Sequence, residues 1–212
     1  MTASRAVGIL GGTFDPIHIG HLAIAEEARE ALGLERVLFV PTRLPVHKPD
    51  LPVTAAEDRV AMVSAAIAGN PAFVLERAEV DRAGPSYAVD TLEGLMAAAA
   101  AAGQPTEYTF ILSADAYAGL PTWHRPGRLL ELCRLAVLPR PGTASVDPVA
   151  MERVVPGARL RTVVLDGPSL TLSGTMIRGR VAAGRSIRYL VPDAVIAYIG
   201  DHRLYAPVDP YR

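Results

Sequence analysis

Gly11-Gly12-Thr13-Phe14-Asp15-Pro16-Ile17-His18-Ile19-Gly20-His21 follows at once on the apolar run Ala6 to Leu10, and this junction decides the fold. An apolar run, a glycine pair and then an amphipathic stretch read as a buried strand that turns sharply into a helix. In open α/β sheets such a turn lies at the crevice where ligands bind. Gly11 and Gly12 suit it because, without side chains, they permit unusual backbone angles and let a phosphate approach the amide groups. From Ile19 onward Leu22, Ala25, Ala28 and Leu32 keep a helical spacing, and Gly33 stands where a C-terminal cap belongs.

The same alternation of short apolar runs and helical patterns continues outward from this junction. Strands are expected at Ala6 to Leu10, Arg36 to Val40, Phe73 to Leu75, Tyr108 to Leu112, Leu135 to Leu138 and Leu160 to Val164. Thr54 and Glu57 have capping-box spacing for a helix running toward Ala68, and Ser86 to Ala102, with its alanine run, reads as another helix. A last helix follows Pro192, with Asp193 near the positive end of its dipole. The pattern predicts an α/β fold: a single doubly wound, Rossmann-like domain over residues 1–212, with a mostly parallel central sheet and helices on both faces. Two proline-rich loops stand out, Pro41 to Val53 and Arg140 to Pro148.

Composition narrows the classes of function. The 212 residues, 50% hydrophobic and 20% charged, suffice for one sizeable core. A net charge of -1 removes the broad electrostatic case for nucleic-acid binding, which needs a basic excess to offset backbone phosphates. Cys133 is the only cysteine, so no internal disulfide framework is expected, and it reads as a small buried apolar residue. The apolar run after Arg5 is too short for a signal peptide, and no stretch approaches a membrane span; a cytoplasmic location is expected. Nothing in the sequence fixes the oligomeric state.

His18 and His21 fall three residues apart at the start of a helix, where the dipole and free amides favour anions. Both rings can then face one phosphate, and Gly20 between them leaves room for a nucleotide against the backbone. Of five histidines, those at 18, 21, 47 and 124 lie in segments that read independently as site loops. There is no G-x-x-x-x-G-K-[ST] loop and no G-x-G-x-x-G after the first strand, which argues against a P-loop ATPase or a dinucleotide-binding dehydrogenase. A metal reading of the histidine pair is weak, since no H-E-x-x-H spacing or acidic cluster accompanies it.

The glycine loop with His18-Ile19-Gly20-His21 resembles the nucleotidyltransferase superfamily that carries the HxGH motif. Leu172-Ser173-Gly174-Thr175-Met176-Ile177-Arg178 is similar to the superfamily's second motif, ISSTxIR, with Gly174 in place of the second serine. Within a C-terminal helical segment of about residues 173–205, the hydroxyls of Ser173 and Thr175, the helix amides and Arg178 could make a pyrophosphate cradle. Three further segments resemble the bacterial nicotinate mononucleotide adenylyltransferase family: Gly84-Pro85-Ser86-Tyr87-Ala88-Val89-Asp90-Thr91-Leu92, Ser113-Ala114-Asp115 with Leu120-Pro121-Thr122-Trp123-His124, and Pro45-Val46-His47-Lys48. Ser113 stands where that family has glycine. Taken alone, Trp123 would be a packing residue, Lys48 a solvated loop lysine, and Asp15 a stabiliser of its own turn.

The resemblance implies adenylyl transfer from ATP to nicotinate mononucleotide, giving nicotinate adenine dinucleotide and pyrophosphate, a step of NAD biosynthesis. It implies catalytic roles for His18, His21 and Arg178, and ATP contacts from Gly11, Gly12, Thr13, Phe14, Gly20, Lys48, Ser173 and Thr175. Asp15, Ser86, Tyr87, Thr91, Asp115, Trp123 and His124 are expected on the nicotinate mononucleotide side. Mg2+ would be carried with ATP and need few protein ligands. The alternatives are another transferase of the superfamily, acting on phosphopantetheine or an alcohol phosphate, and a nucleotide-binding module without turnover.

Overall fold

The computed structural model describes residues 4–43, 53–143 and 145–206. Its centre is β1 (Arg5–Gly12), which pairs in parallel with β2 (Arg36–Pro41) on one side and with β4 (Thr106–Ser113) on the other. β3 (Phe73–Leu75), β5 (Arg134–Leu138) and β6 (Thr162–Val164) extend the sheet to the order β3-β2-β1-β4-β5-β6, with every pairing parallel. Crossovers from β1 and from β4 therefore leave toward opposite edges, and the crevice at that reversal opens at the end of β1.

Strand alternation produces two cores. Val37 and Phe39 pack on one face of the sheet, Leu38 and Val40 on the other. The first face is covered by α1 (Ile19–Ala31), α2 (Ala56–Ile67), α9 (Gly174–Ala182) and α10 (Asp193–Asp201), through Ala25, Met62, Ile177 and Val195 among others. The second is covered by α4 (Ala88–Ala101), α5 (Ala114–Ala118) and α6 (Pro126–Leu132), with Leu92, Tyr117 and Leu129 buried. The two-faced burial explains why the central strands β1, β2, β4 and β5 read as continuous apolar runs. Shorter helices α3 (Ala78–Asp81), α7 (Pro148–Glu152) and α8 (Ala158–Arg161) complete the crossovers. Among the described residues no helix is long and apolar enough to cross a membrane.

The expected strands and long helices are present, with three local differences. Leu160 lies in α8 and is 90% exposed; β6 begins only at Thr162, because Gly157, with φ 95°, starts a short helix first. No side-chain cap forms at Thr54: α2 has Ala55 at its N-cap, and Glu57 instead binds Arg77 at 2.9 Å. α4 starts at Ala88, so Ser86 lies outside it, and its hydroxyl accepts the Arg43 N–H at 3.2 Å. Gly33 caps the end of α1 as expected, with φ 61° and its N–H donating to the Glu30 carbonyl at 3.3 Å.

Candidate active site

At the end of β1 the chain reverses through Thr13 to Ile17 and enters α1 with His18 as its N-cap. Phe14, with φ 50°, folds back so that its ring lies against Gly12, where an added Cβ would stand 3.2 Å from it. The ring is buried, and it presents its edge to His21 at a centroid distance of 5.0 Å. Phe14 thus backs the histidine pair as well as lining the cleft in front of it.

His18 and His21 stack, with ring centroids 3.7 Å apart and planes 17° from parallel. The His18 backbone N–H donates to His21 Nδ1 at 3.2 Å, a side chain at the third helical position reaching back to the N-cap. That bond makes Nδ1 an acceptor and leaves the His21 proton on Nε2. Burial, reinforced by the Arg140 charge, pushes the His18 imidazole down to about 4. Burial first, then the charges of His18 and Arg140, holds His21 well below its usual value. The pair is therefore neutral at pH 7 and has N–H donors to offer. Gly20 lines the first cleft, and its missing side chain also makes room for the His18 ring, since a Cβ there would stand 3.0 Å from His18 Nδ1.

The second motif meets the first here. Ser173 caps α9, its Oγ accepting the Met176 N–H at 3.2 Å. Arg178 donates through Nη1 to the Asp15 carbonyl at 2.6 Å, across 163 residues of chain, and through Nη2 to Thr175 Oγ1 at 3.4 Å. Gly174 is required by this approach, because a Cβ would lie 2.5 Å from the Asp15 carbonyl oxygen. His18, His21, Ser173, Thr175 and Arg178 line one cleft of about 290 Å³.

A second cleft, of about 430 Å³, adjoins it and shares Gly11 and Thr13 in its wall. Ser86, Tyr87, Trp123 and His124 line it, the Tyr87 and His124 rings stacking at 4.4 Å. Tyr87 is the N-cap of α4, so the positive end of that helix faces this cleft.

Three of the residues expected on the nicotinate mononucleotide side, Asp15, Thr91 and Asp115, do not line the second cleft. Asp15 lines the first cleft, with Oδ1 accepting the Tyr205 hydroxyl at 2.6 Å and Oδ2 the Thr54 N–H at 3.3 Å; both oxygens anchor the turn. Thr91 is buried one turn inside α4 and donates to Glu79 Oε1 at 2.8 Å, lining neither cleft. Asp115 is exposed, outside both clefts, and pairs with Arg140 at 3.2 Å. Lys48 lies outside the described residues, as does the rest of Pro45 to Lys48.

Sequence reasoning missed two residues in the walls. Arg140, at the end of β5, binds the Leu172 carbonyl at 2.8 Å and lines the first cleft. Its position just past a strand's C-terminal end was the available signal. Glu79, buried in the second cleft's wall, has its carboxyl pushed up by burial; only its partner Thr91 could have hinted at it. Among the described residues no group of three or more His, Cys, Asp or Glu side chains is placed to hold a metal ion.

Fold and site together define a nucleotidyl-transferring α/β protein, and residues 9–180 match the model of the cytidylyltransferase-like family. Two relatives are each described as "Probable nicotinate-nucleotide adenylyltransferase". The one from Roseiflexus sp. is 47% identical over 204 residues, covering 96% of this chain and 99% of its own. The one from Dehalococcoides mccartyi is 41% identical over 202 residues, covering 95% and 98%. The fold is also that of Plasmodium falciparum nicotinic acid mononucleotide adenylyltransferase complexed with NaAD, with a TM-score of 0.77 at 18% identity over 95% of this chain and 97% of that one. The chain belongs to the cytidylyltransferase-like family and, within it, to the nicotinate-nucleotide adenylyltransferases.

Proposed function

We propose that the first cleft holds ATP and the second nicotinate mononucleotide, so that the enzyme's adenylyl transfer takes place where the two meet, beside Gly11 and Thr13. The reaction of a nicotinate-nucleotide adenylyltransferase joins the two substrates into nicotinate adenine dinucleotide. A 5′-phosphate oxygen of the acceptor attacks the α-phosphorus of ATP, a P–O bond forms, the bond to the β-phosphate breaks, and pyrophosphate leaves. The attacking phosphate is already ionised at pH 7, so no protein nucleophile or strong base is needed. Positioning and stabilisation of charge carry the rate.

The observation that carries this reading is the adjacency of a histidine-lined cleft and an aromatic-lined cleft along one glycine loop. His21 Nε2–H and the neighbouring His18 donate to the α-phosphate oxygens as charge builds there. Ser173, Thr175, Arg178 and the N-terminus of α9 receive the leaving pyrophosphate; Arg178 turns from the Asp15 carbonyl to do so. Tyr87 and Trp123 flank the pyridine ring, and the α4 N-terminus favours its carboxylate. Mg2+ would come with ATP as part of the substrate and would supply charge neutralisation between the two anions. The chain works as one nucleotidyltransferase domain whose segment at 173–205 supplies the second motif.

Pyrophosphate release is the test, with ATP plus nicotinate mononucleotide, nicotinamide mononucleotide or phosphopantetheine. Release should be fastest with the nicotinate compound. Release with phosphopantetheine alone, or with none of the three, would overturn the assignment.

A further inference from the structure

Arg59, in the first turn of α2, is 1% exposed and is the largest fully buried side chain among the described residues. Its guanidinium contacts three backbone carbonyls from three separate segments. Nη1 donates to Thr13 at 2.7 Å, Nε to Thr54 at 2.9 Å and Nη2 to Arg43 at 3.1 Å. Among the described residues it makes no ion pair; burial pushes it down from its usual value, against the smaller opposing charges of Asp15 and Tyr205. A buried cation satisfied only by carbonyls is an expensive way to fill a core, and an apolar side chain of similar volume would often serve stability better. What an apolar group could not supply is a planar fork of donors that fixes three segments at once.

All three segments belong to the site. Thr13 lines both clefts. The Arg43 N–H donates to Ser86 Oγ in the wall of the second cleft. The Thr54 N–H donates to the Asp15 carboxylate, and the Asp15 carbonyl accepts from Arg178 in the first cleft. Arg59 thus ties Thr13, in the wall common to both clefts, to one segment bonded to each cleft's own lining.

We propose that Arg59 is a positioning residue for the transfer: by holding Thr13, Arg43 and Thr54 it keeps the ATP cleft and the acceptor cleft in register. This rests on the function proposed above. In-line attack needs the two reacting atoms at about 3–3.5 Å, and a misplacement of about 1 Å costs on the order of 100-fold in rate. Binding of either substrate alone does not need that register, so the effect should fall on kcat.

Three variants test it. Arg59→Lys keeps the charge but cannot reach three carbonyls, Arg59→Met keeps apolar volume, and Arg59→Ala leaves space for guanidinium ion added to the buffer. Circular dichroism checks folding, and calorimetry measures nicotinate mononucleotide and a non-hydrolysable ATP analogue separately. The Lys and Met variants should fold and bind each ligand within about threefold of wild type. Their kcat should fall at least ~30-fold, and guanidinium should restore the Ala variant by about tenfold. A folded Lys variant with kcat within about threefold of wild type, or one with raised KM values and normal kcat, overturns the proposal. Failure of all three variants to fold assigns Arg59 to stability alone and also overturns it. The wild-type assay separates the two readings: no turnover there sinks the assigned reaction and this proposal with it, whereas normal turnover with unaffected variants sinks this proposal only.

Discussion

His21 keeps its proton on Nε2 because the His18 backbone N–H occupies Nδ1, and both rings stay neutral because they are buried beside the Arg140 cation. A neutral donor fixed in advance costs nothing to reorganise as charge grows on the α-phosphate. Replacing His21 with Ala should therefore lower kcat at least ~100-fold, the scale of losing one such donor, in a protein that circular dichroism shows still folded. Near-normal turnover would remove His21 from the mechanism. The same burial sets a pH dependence. His18 sits at about 4 in the folded protein against an ordinary value of 6.5, so between those values the unfolded chain holds more protons. Stability from this group is thus complete above about pH 6.5 and is lost as pH falls toward 4, by up to roughly 3 kcal/mol. Urea unfolding at pH 7 and pH 4.5 should show a larger loss for wild type than for His18→Asn; equal losses would contradict the neutral assignment.

At the scale of elements, the N-terminus of α9 shows how one helix joins the two motifs. Ser173 caps it, and Ser173→Ala should cost about 1 kcal/mol in denaturant unfolding. Gly174 is the more informative position, since the family resemblance expects serine there. A Cβ at 2.5 Å from the Asp15 carbonyl cannot be absorbed by a rotamer change, so either α9 or the Asp15 turn must move. Gly174→Ser should destabilise the protein by about 1–3 kcal/mol and weaken ATP binding, read by thermal unfolding and calorimetry. An unchanged melting temperature would mean that the Asp15 turn yields freely. The sequence leaves this approach invisible, because the partner oxygen lies more than a hundred residues away. The central strands were legible for the opposite reason: burial on both faces makes each a local apolar run, as in Arg36–Pro41, whereas the exposed edge strand β6 starts later than expected. Thr54 misled because its spacing to Glu57 is a local signal, while the ion pair of Glu57 with Arg77 is a tertiary one.

Across the whole molecule, the reversal of strand order beside β1 places the two clefts on either side of a single glycine loop. The parts of the site contained in one turn of chain, such as His18 with His21 or Tyr87 with Ser86, could be read from spacing and family resemblance. Arg59 and Glu79 could not, since what each does depends on segments brought in from elsewhere, as when Arg59 reaches Thr13. The division into two clefts has a consequence for the kinetics. Trp123 lines only the second cleft, while Ser173 and Thr175 line only the first. An aromatic face against the pyridine ring is worth on the order of 1 kcal/mol beyond its buried area, and about 1.4 kcal/mol is tenfold in affinity. Trp123→Ala should therefore raise the KM for nicotinate mononucleotide about tenfold or more and leave that for ATP within about twofold. Thr175→Ala should show the reverse bias, through the pyrophosphate side. Steady-state kinetics with each substrate varied in turn measures both, and equal effects of Trp123→Ala on the two KM values would mean that the clefts do not divide the substrates in this way.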